Sequence, residues 1–309
     1  MRQMLKLIYK RFLDASWVLL LLCTLTFFLI RFVPGGPFDS ECGLPVDTLR
    51  ALEKFYGYDQ PLIHQFSHYL KHLLQGDFGP SMRYPGYSVN QLLQERIPVS
   101  FELGGLTLLF SLCIGLACGG TAALFHNRWI DKLLMSICFI SLSLPTFVLG
   151  PILVLFFSLY LGWFPAIGWD SCSNYVLPTI TLACMYSGYI ARIFRASCLD
   201  VLDQPFIRTA FAKGLSKKRV FFIHVLKNAF MPVLTYLGPT AAAVMSGSLV
   251  IESLFQIPGA GSLFISAVVQ RDTPLLLGTV LYFSLLILVF NFFVDVILSI
   301  CNPKQKISL

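Results

Sequence analysis

Charge is scarce in this chain. Only 13% of its 309 residues are Asp, Glu, Lys or Arg, while 56% are hydrophobic. An ordinary soluble domain carries about 25% charged residues, so the deficit points to a membrane protein. Other absences narrow the chemistry. No G-x-x-x-x-G-K-[ST] occurs, so the chain has no phosphate cradle of that kind and ATP hydrolysis is not expected on it. There is no H-E-x-x-H and no pair of aspartates inside an apolar run. Gly79-Pro80-Ser81 supplies a G-x-S, but it and all five histidines (His64, His68, His72, His126 and His224) fall outside the apolar runs. No Ser–His pair is therefore expected at membrane depth, which counts against an intramembrane protease. The chain also lacks the basic–aromatic alternation of a nucleic-acid binder.

Cysteine is present, with nine residues, but without metal-ligand spacing. Most lie in apolar runs, as small core residues do. Cys42 and Cys172 fall in predicted external loops, where the alternatives are two free thiols or a disulfide in an oxidising compartment.

What is plentiful is apolar sequence. Runs at 15–30, 103–124, 133–161, 176–193, 230–255 and 275–300 approach the roughly 20 residues that cross a hydrocarbon core of about 30 Å. Pro145 interrupts the third, and Pro232 and Pro239 lie in the fifth; prolines are tolerated where neighbouring helices satisfy the freed backbone. The first run continues into RFVPGGPF without a small-residue cleavage site and is expected to remain as a span. The fold class expected is thus all-α and polytopic, with six transmembrane helices in one domain over residues 1–309.

Six spans place both termini on one side. Segments 1–14, 125–132, 192–229 and 302–309 carry sixteen Lys and Arg, against six in 32–102, 162–175 and 256–274. The positive-inside rule assigns the richer set, and both termini, to the cytoplasm. The net charge of +7 is mostly this asymmetry.

Two loops carry pattern. In the long external segment 32–102, Leu62, Ile63, Phe66, Tyr69, Leu70, Leu73 and Leu74 line one face of a helix over about 60–75, with Asp59 as N-cap and Gly76 as stop. His64, His68 and His72 stand four apart on its polar face. Without an acidic or cysteine ligand in register they read as a solvated face, and no metal is expected. In the basic segment 203–228, Phe206, Ile207, Ala210 and Phe211 form one apolar edge before Gly214. Ser216 is placed to cap a second helix carrying Val220, Phe221, Ile223 and Leu226. Gly214 allows a turn of positive φ.

The stretch RTAFAKGLSKKRVFFIHVLKNAF resembles the cytoplasmic coupling loop of ABC-importer permeases, the EAA loop, in its peptide-transporter form R-T-A-x-A-K-G…H-x-L-K. Arg208, Thr209, Ala210, Ala212, Lys213, Gly214, His224, Leu226 and Lys227 fit that form, while Asn228 replaces a common proline. The likeness extends through FFLIRFVPGGPF, GDFGPSMRYPGYSVNQLL, IPVSFELG, GSLVIESLFQIPGAGSLFISAVVQRD and NFFVDVILSICNPK, and so covers nearly the whole chain. YSVNQLL leans toward the oligopeptide-type B permease.

The resemblance implies a type I importer architecture in the bacterial plasma (inner) membrane. It implies half of a translocation pathway, with Arg208, Thr209, Ala210, Ala212, Lys213, Gly214 and Leu215 coupling to a separate ATPase. The implied partners are a second related permease, two cytoplasmic ATPases, an external solute-binding protein, membrane lipid and a peptide substrate. No cofactor is implied on this chain, and ATP and Mg belong to the ATPases. Glu252, near the external end of the fifth span, is a candidate gate or pathway residue. The alternatives are a dipeptide or nickel permease of the same family, or an ATP-independent secondary transporter. A secondary transporter usually places ionisable groups along its pathway. Here the spans carry few, Glu252 and Asp295 among them.

Overall fold

The computed structural model describes residues 2–32, 57 and 59–301. The helices are α1 Arg2–Phe32, α2 Leu62–Leu74, α3 Val89–Leu124, α4 Trp129–Ser143, α5 Thr146–Leu153, α6 Val176–Leu202, α7 Pro205–Ala212 and α8 Lys217–Val220. They continue with α9 Leu226–Met245, α10 Leu249–Leu254, α11 Ala260–Val269 and α12 Thr273–Cys301. A π-helical segment, Val154–Tyr160, extends α5, and another, Phe221–Val225, joins α8 to α9. Among the described residues the β pairing is confined to an isolated bridge between Pro80 and Ser88.

Five helical stretches are long and apolar enough to cross a membrane, and a sixth follows if α4 and the extended α5 count as one span. The protein is therefore an all-α, multi-pass membrane protein. The apolar run 133–161 is not straight: its two helices meet at 104°. Leu144 and Pro145 make the bend, both with extended backbone (ψ 117° and 141°). A residue before proline is driven out of the α region by the ring, so the helix ends there.

The chain divides into two compact units, residues 1–98 with 259–285 and residues 99–258 with 286–309. In the first, Val89, Leu92 and Leu93 of α3 pack with Leu263 and Ala267 of α11 and Leu275 of α12. α2 rests on α1, with Phe66 5.2 Å from Phe27 and 5.6 Å from Phe28 between ring centroids. It starts three residues beyond Asp59, with Pro61 in the N-cap position, so Asp59 is not its cap. Gly76 stops it as expected, at φ +76°.

The segment after α2 is fastened by Asp272, a fully buried carboxylate. Its Oδ2 accepts from the Ser81 hydroxyl and from the backbone N–H of Met82 (3.1 Å) and Arg83 (3.2 Å). Its Oδ1 accepts from Leu275 N–H at 3.2 Å and so caps α12.

The second unit has two cores. Leu103, Trp169, Leu177, Leu182, Ile251 and Phe255 form one. The other joins α6 through Ile190, Phe194 and Cys198 to Ile207 and Ala210 of α7 and to Val220, Phe221 and Val225. α3 approaches α6 through glycine: a Cβ on Gly119 would stand 2.5 Å from the Ala191 carbonyl oxygen. Small residues admit backbones to close approach where apolar lipid supplies no hydrophobic drive between helices. Cys172 is a free, exposed thiol. Cys42 lies outside the described residues, and with it the disulfide alternative.

Candidate functional site

The basic segment folds as a bent pair of short helices. Pro205 begins α7 at a position whose N–H has no helical partner in any case. At the other end, Leu215 N–H bonds to Ala210 O at 3.3 Å and Gly214 N–H to Phe211 O at 2.9 Å. These 6→1 and 5→2 bonds close around Gly214 at φ +80°, the left-handed C-terminal cap that glycine tolerates without steric cost. Ser216 then takes the N-cap position of α8 with extended backbone, but its hydroxyl makes no capping hydrogen bond.

The expected apolar edge of α7 is split. Ile207 and Ala210 are buried, whereas Phe206 and Phe211 keep 44% and 41% exposure. At about 100° per residue the two phenylalanines lie roughly 70° to either side of the buried centre, so their rings rim the contact instead of filling it. Arg208, Thr209, Ala212, Lys213 and Gly214 are all exposed. Of the seven candidate residues, five thus share a surface. Ala210 faces the core, and Leu215 packs half-buried against the same core.

The second helix departs from its expected face. Val220 and Phe221 are buried, but Ile223 is 53% exposed and Leu226 36%, and Val225 is buried in their place. The π-helical turn Phe221–Val225 accounts for this. A π turn closes i→i+5 and holds an extra residue, so everything beyond it is advanced in register. The core then runs Val220, Phe221, Val225, Ala229, Val233.

Glu252 is enclosed, at 0% exposure, and accepts a 2.8 Å hydrogen bond from the buried Ser100 hydroxyl. In the helix α2, His68 and His72 lie 4.5 Å apart between ring centroids, and His72 Nδ1 stands 3.3 Å from Asp77 Oδ2. Among the described residues no cluster of three His, Cys, Asp or Glu side chains could hold a metal.

One constellation was not anticipated. Asp131, in the first turn of α4, is 3% exposed and bound by both Nε and Nη2 of Arg195 on α6, each at 2.7 Å. Asn127 N–H donates to the same carboxylate at 2.9 Å, and His126 Nδ1 stands 3.5 Å from it. A bidentate, charge-assisted pair of this geometry is among the stronger polar contacts available. Arg195 follows Phe194, which lies in the core beneath α7.

Residues 112–307 match the binding-protein-dependent transport system inner membrane component, and residues 4–101 match its N-terminal companion. The chain belongs to this family. It is 43% identical over 305 residues to the oligopeptide transport system permease protein of Haemophilus influenzae, covering 98% of this chain and all of that protein. The dipeptide transport system permease protein of Bacillus subtilis is 41% identical, with 96% and 97% covered. The glutathione transport system permease protein of Salmonella typhimurium is 38% identical, with 98% and 99% covered. Among solved structures, a chain of the inward-facing MetNI methionine ABC transporter superposes with a TM-score of 0.59 at 16% identity, covering 68% of this chain and 96% of that one. The importer-permease fold expected from the resemblance is therefore the observed one.

Proposed function

We propose that this permease is the membrane subunit of an ATP-driven importer of oligopeptides, resident in the bacterial inner membrane with both termini cytoplasmic. It forms half of the pathway beside a second related permease and receives substrate from an external solute-binding protein. It is driven by two cytoplasmic ATPases that carry the ATP and Mg. The observation that carries the reading is the exposed surface of α7: Arg208, Thr209, Ala212, Lys213 and Gly214 face outward while Ile207 and Ala210 anchor the helix to the α6 core. A short helix so fastened can pass a partner's movement to the spans, because a packed core is bistable and does not deform continuously.

Relatives that carry oligopeptides, a dipeptide or glutathione in their names support a peptide substrate. A dipeptide is the second reading, favoured by the Bacillus subtilis relative. The test is reconstitution of this chain with the partner proteins in liposomes. Uptake of labelled oligopeptide should require ATP and the binding protein. ATP-independent uptake by the chain alone would overturn the proposal in favour of a secondary transporter.

A further inference from the structure

We propose that Glu102 receives the terminal ammonium of a peptide at the outer end of the second unit. The inference rests on the peptide-importer reading and on the orientation that goes with it. Glu102 is exposed on α3, one step before a long apolar stretch of that helix. From Glu102 to Leu124, the last residue of α3, the helix rises about 33 Å. A hydrocarbon core is about 30 Å thick, so the carboxylate stands at its outer edge. Leu109 and Cys113 fall within about 20° of Glu102 around the helix and are exposed as well. This face of α3 is an apolar wall headed by one carboxylate.

That carboxylate is held in place. Trp169 Nε1–H donates to Glu102 Oε2 at 3.3 Å, while Oε1 makes no hydrogen bond among the described residues. The indole is 8% exposed, packs with Leu103 and stacks on Tyr175 with 4.0 Å between ring centroids. The segment that bears it is tied down by Gly168 N–H, which donates to Phe255 O at 2.9 Å. One oxygen is thus fixed by a buried donor, and the other keeps its accepting capacity.

No cation of this unit competes for it. At this end the unit comprises residues 99–103, 162–175 and 246–258, which include Glu102, Asp170 and Glu252 but no Lys, Arg or His. Glu252 is enclosed and engaged with Ser100, and Asp170 is exposed beside Trp169. The local field therefore favours a cation and repels an anion. Peptides differ in their side chains but share two charged ends. The carboxylate end is repelled here. The ammonium end brings three N–H donors, and its hydrogen bond to a carboxylate is roughly twice as strong as a neutral one. Glu102 can thus hold a peptide without reading its side chains, and the apolar wall below adds no competing charge. A lipid-facing role suits the residue poorly, because ionisable groups in spans face protein or a water-filled cavity.

The test uses the complete transporter reconstituted in liposomes, with tetra-alanine and with its analogue whose terminal ammonium is replaced by a hydroxyl. Tetra-alanine has no other ammonium group. The ratio of the two uptakes is the preference for the ammonium, and the binding protein's share of it is common to every variant. Glu102→Gln should lower that preference about tenfold, the size of one lost hydrogen bond to a charged group. Glu102→Asp should keep part of it. Trp169→Phe, which keeps a ring and removes the N–H, should lower it less than Glu102→Gln does. Independently, a water-soluble carbodiimide, which condenses a carboxylate with an amine in contact with it, should join the N-terminus of tetra-alanine to Glu102. Mass spectrometry of the digested chain would locate that amide. An unchanged preference in Glu102→Gln, or no condensation at Glu102 in a complex that imports the peptide, would overturn the proposal. A complex that imports neither peptide with ATP would instead reject the importer reading.

Discussion

Arg195 grips Asp131 with two 2.7 Å hydrogen bonds across sixty-four residues of sequence, tying the start of α4 to α6. The carboxylate is nearly buried, and the guanidinium reaches partway to solvent, at 24% exposure. Removing the arginine therefore strands a carboxylate in protein. Arg195→Ala should destabilise by less than the ~3–5 kcal/mol of a fully enclosed pair, because solvent reaches the site. Thermal unfolding in detergent should show a lowered midpoint. The reversed pair, Asp131→Arg with Arg195→Asp, should lose less than the sum of its two single variants, and strictly additive losses would deny the coupling.

Asp272 is the fastening of the first unit, and its two oxygens serve four donors. Asn in its place keeps one acceptor oxygen and sets an NH₂ against backbone N–H groups. Asp272→Asn should loosen the segment around Met82–Arg83 and expose it to trypsin at Arg83. Ser81→Ala leaves the carboxylate with its three backbone donors but also removes the acceptor of Arg83 N–H (3.2 Å) and Tyr84 N–H (3.0 Å), so it should loosen the same segment. Equal cleavage rates in the unaltered chain and Asp272→Asn would show that the loop is held otherwise.

How much of this was legible depended on whether the signal was local. The apolar runs are long, so the helices that bear them could be read from composition, although Pro145 breaks the third into two helices. Gly76 and Gly214 announce left-handed helix ends because only glycine adopts that backbone freely. The same cap also forms at Gln256 (φ +53°) and Arg271 (φ +56°), where Ile257 N–H reaches Glu252 O and Asp272 N–H reaches Ala267 O. Nothing in glutamine or arginine foretells a positive φ, so those ends were invisible. The π turn was hidden for a related reason. FFIHV is ordinary helix sequence, and its extra residue shows only when Val225, not Ile223, is found in the core. Five of the seven residues expected to couple to an ATPase are exposed, with Ala210 buried and Leu215 half-buried, but Asp131 and Arg195 offered no spacing that could pair them.

Gly119 makes a prediction about packing. A methyl group there would meet the Ala191 carbonyl oxygen at 2.5 Å, and that atom is backbone, so it cannot rotate away. Gly119→Ala should push α3 from α6 and cost ~1–3 kcal/mol, as overpacking commonly does. Gly105, with open space around its Cβ position, is the control. Gly105→Ala should keep the expression level and unfolding midpoint that Gly119→Ala loses, and indistinguishable variants would disprove the close contact.

Gly214 separates backbone strain from docking. Apart from its two chain neighbours, no atom of the described residues lies within 4 Å of a Cβ built there, so among them only the +80° φ resists a side chain. For an L-residue that conformation costs about 1–2 kcal/mol, and asparagine bears it better than alanine or valine. If backbone shape alone matters, Gly214→Asn should support near-normal peptide uptake while Gly214→Val does not. If an ATPase closes over this surface, every side chain intrudes, and Gly214→Asn should fail as well. Because coupling free energies are about 1–3 kcal/mol, either penalty is large enough to uncouple transport. We expect the second pattern: loss of uptake in Gly214→Asn and Gly214→Val alike, at normal membrane expression, with basal ATP hydrolysis by the reconstituted complex retained. Normal uptake by Gly214→Val would remove Gly214 from the coupling surface.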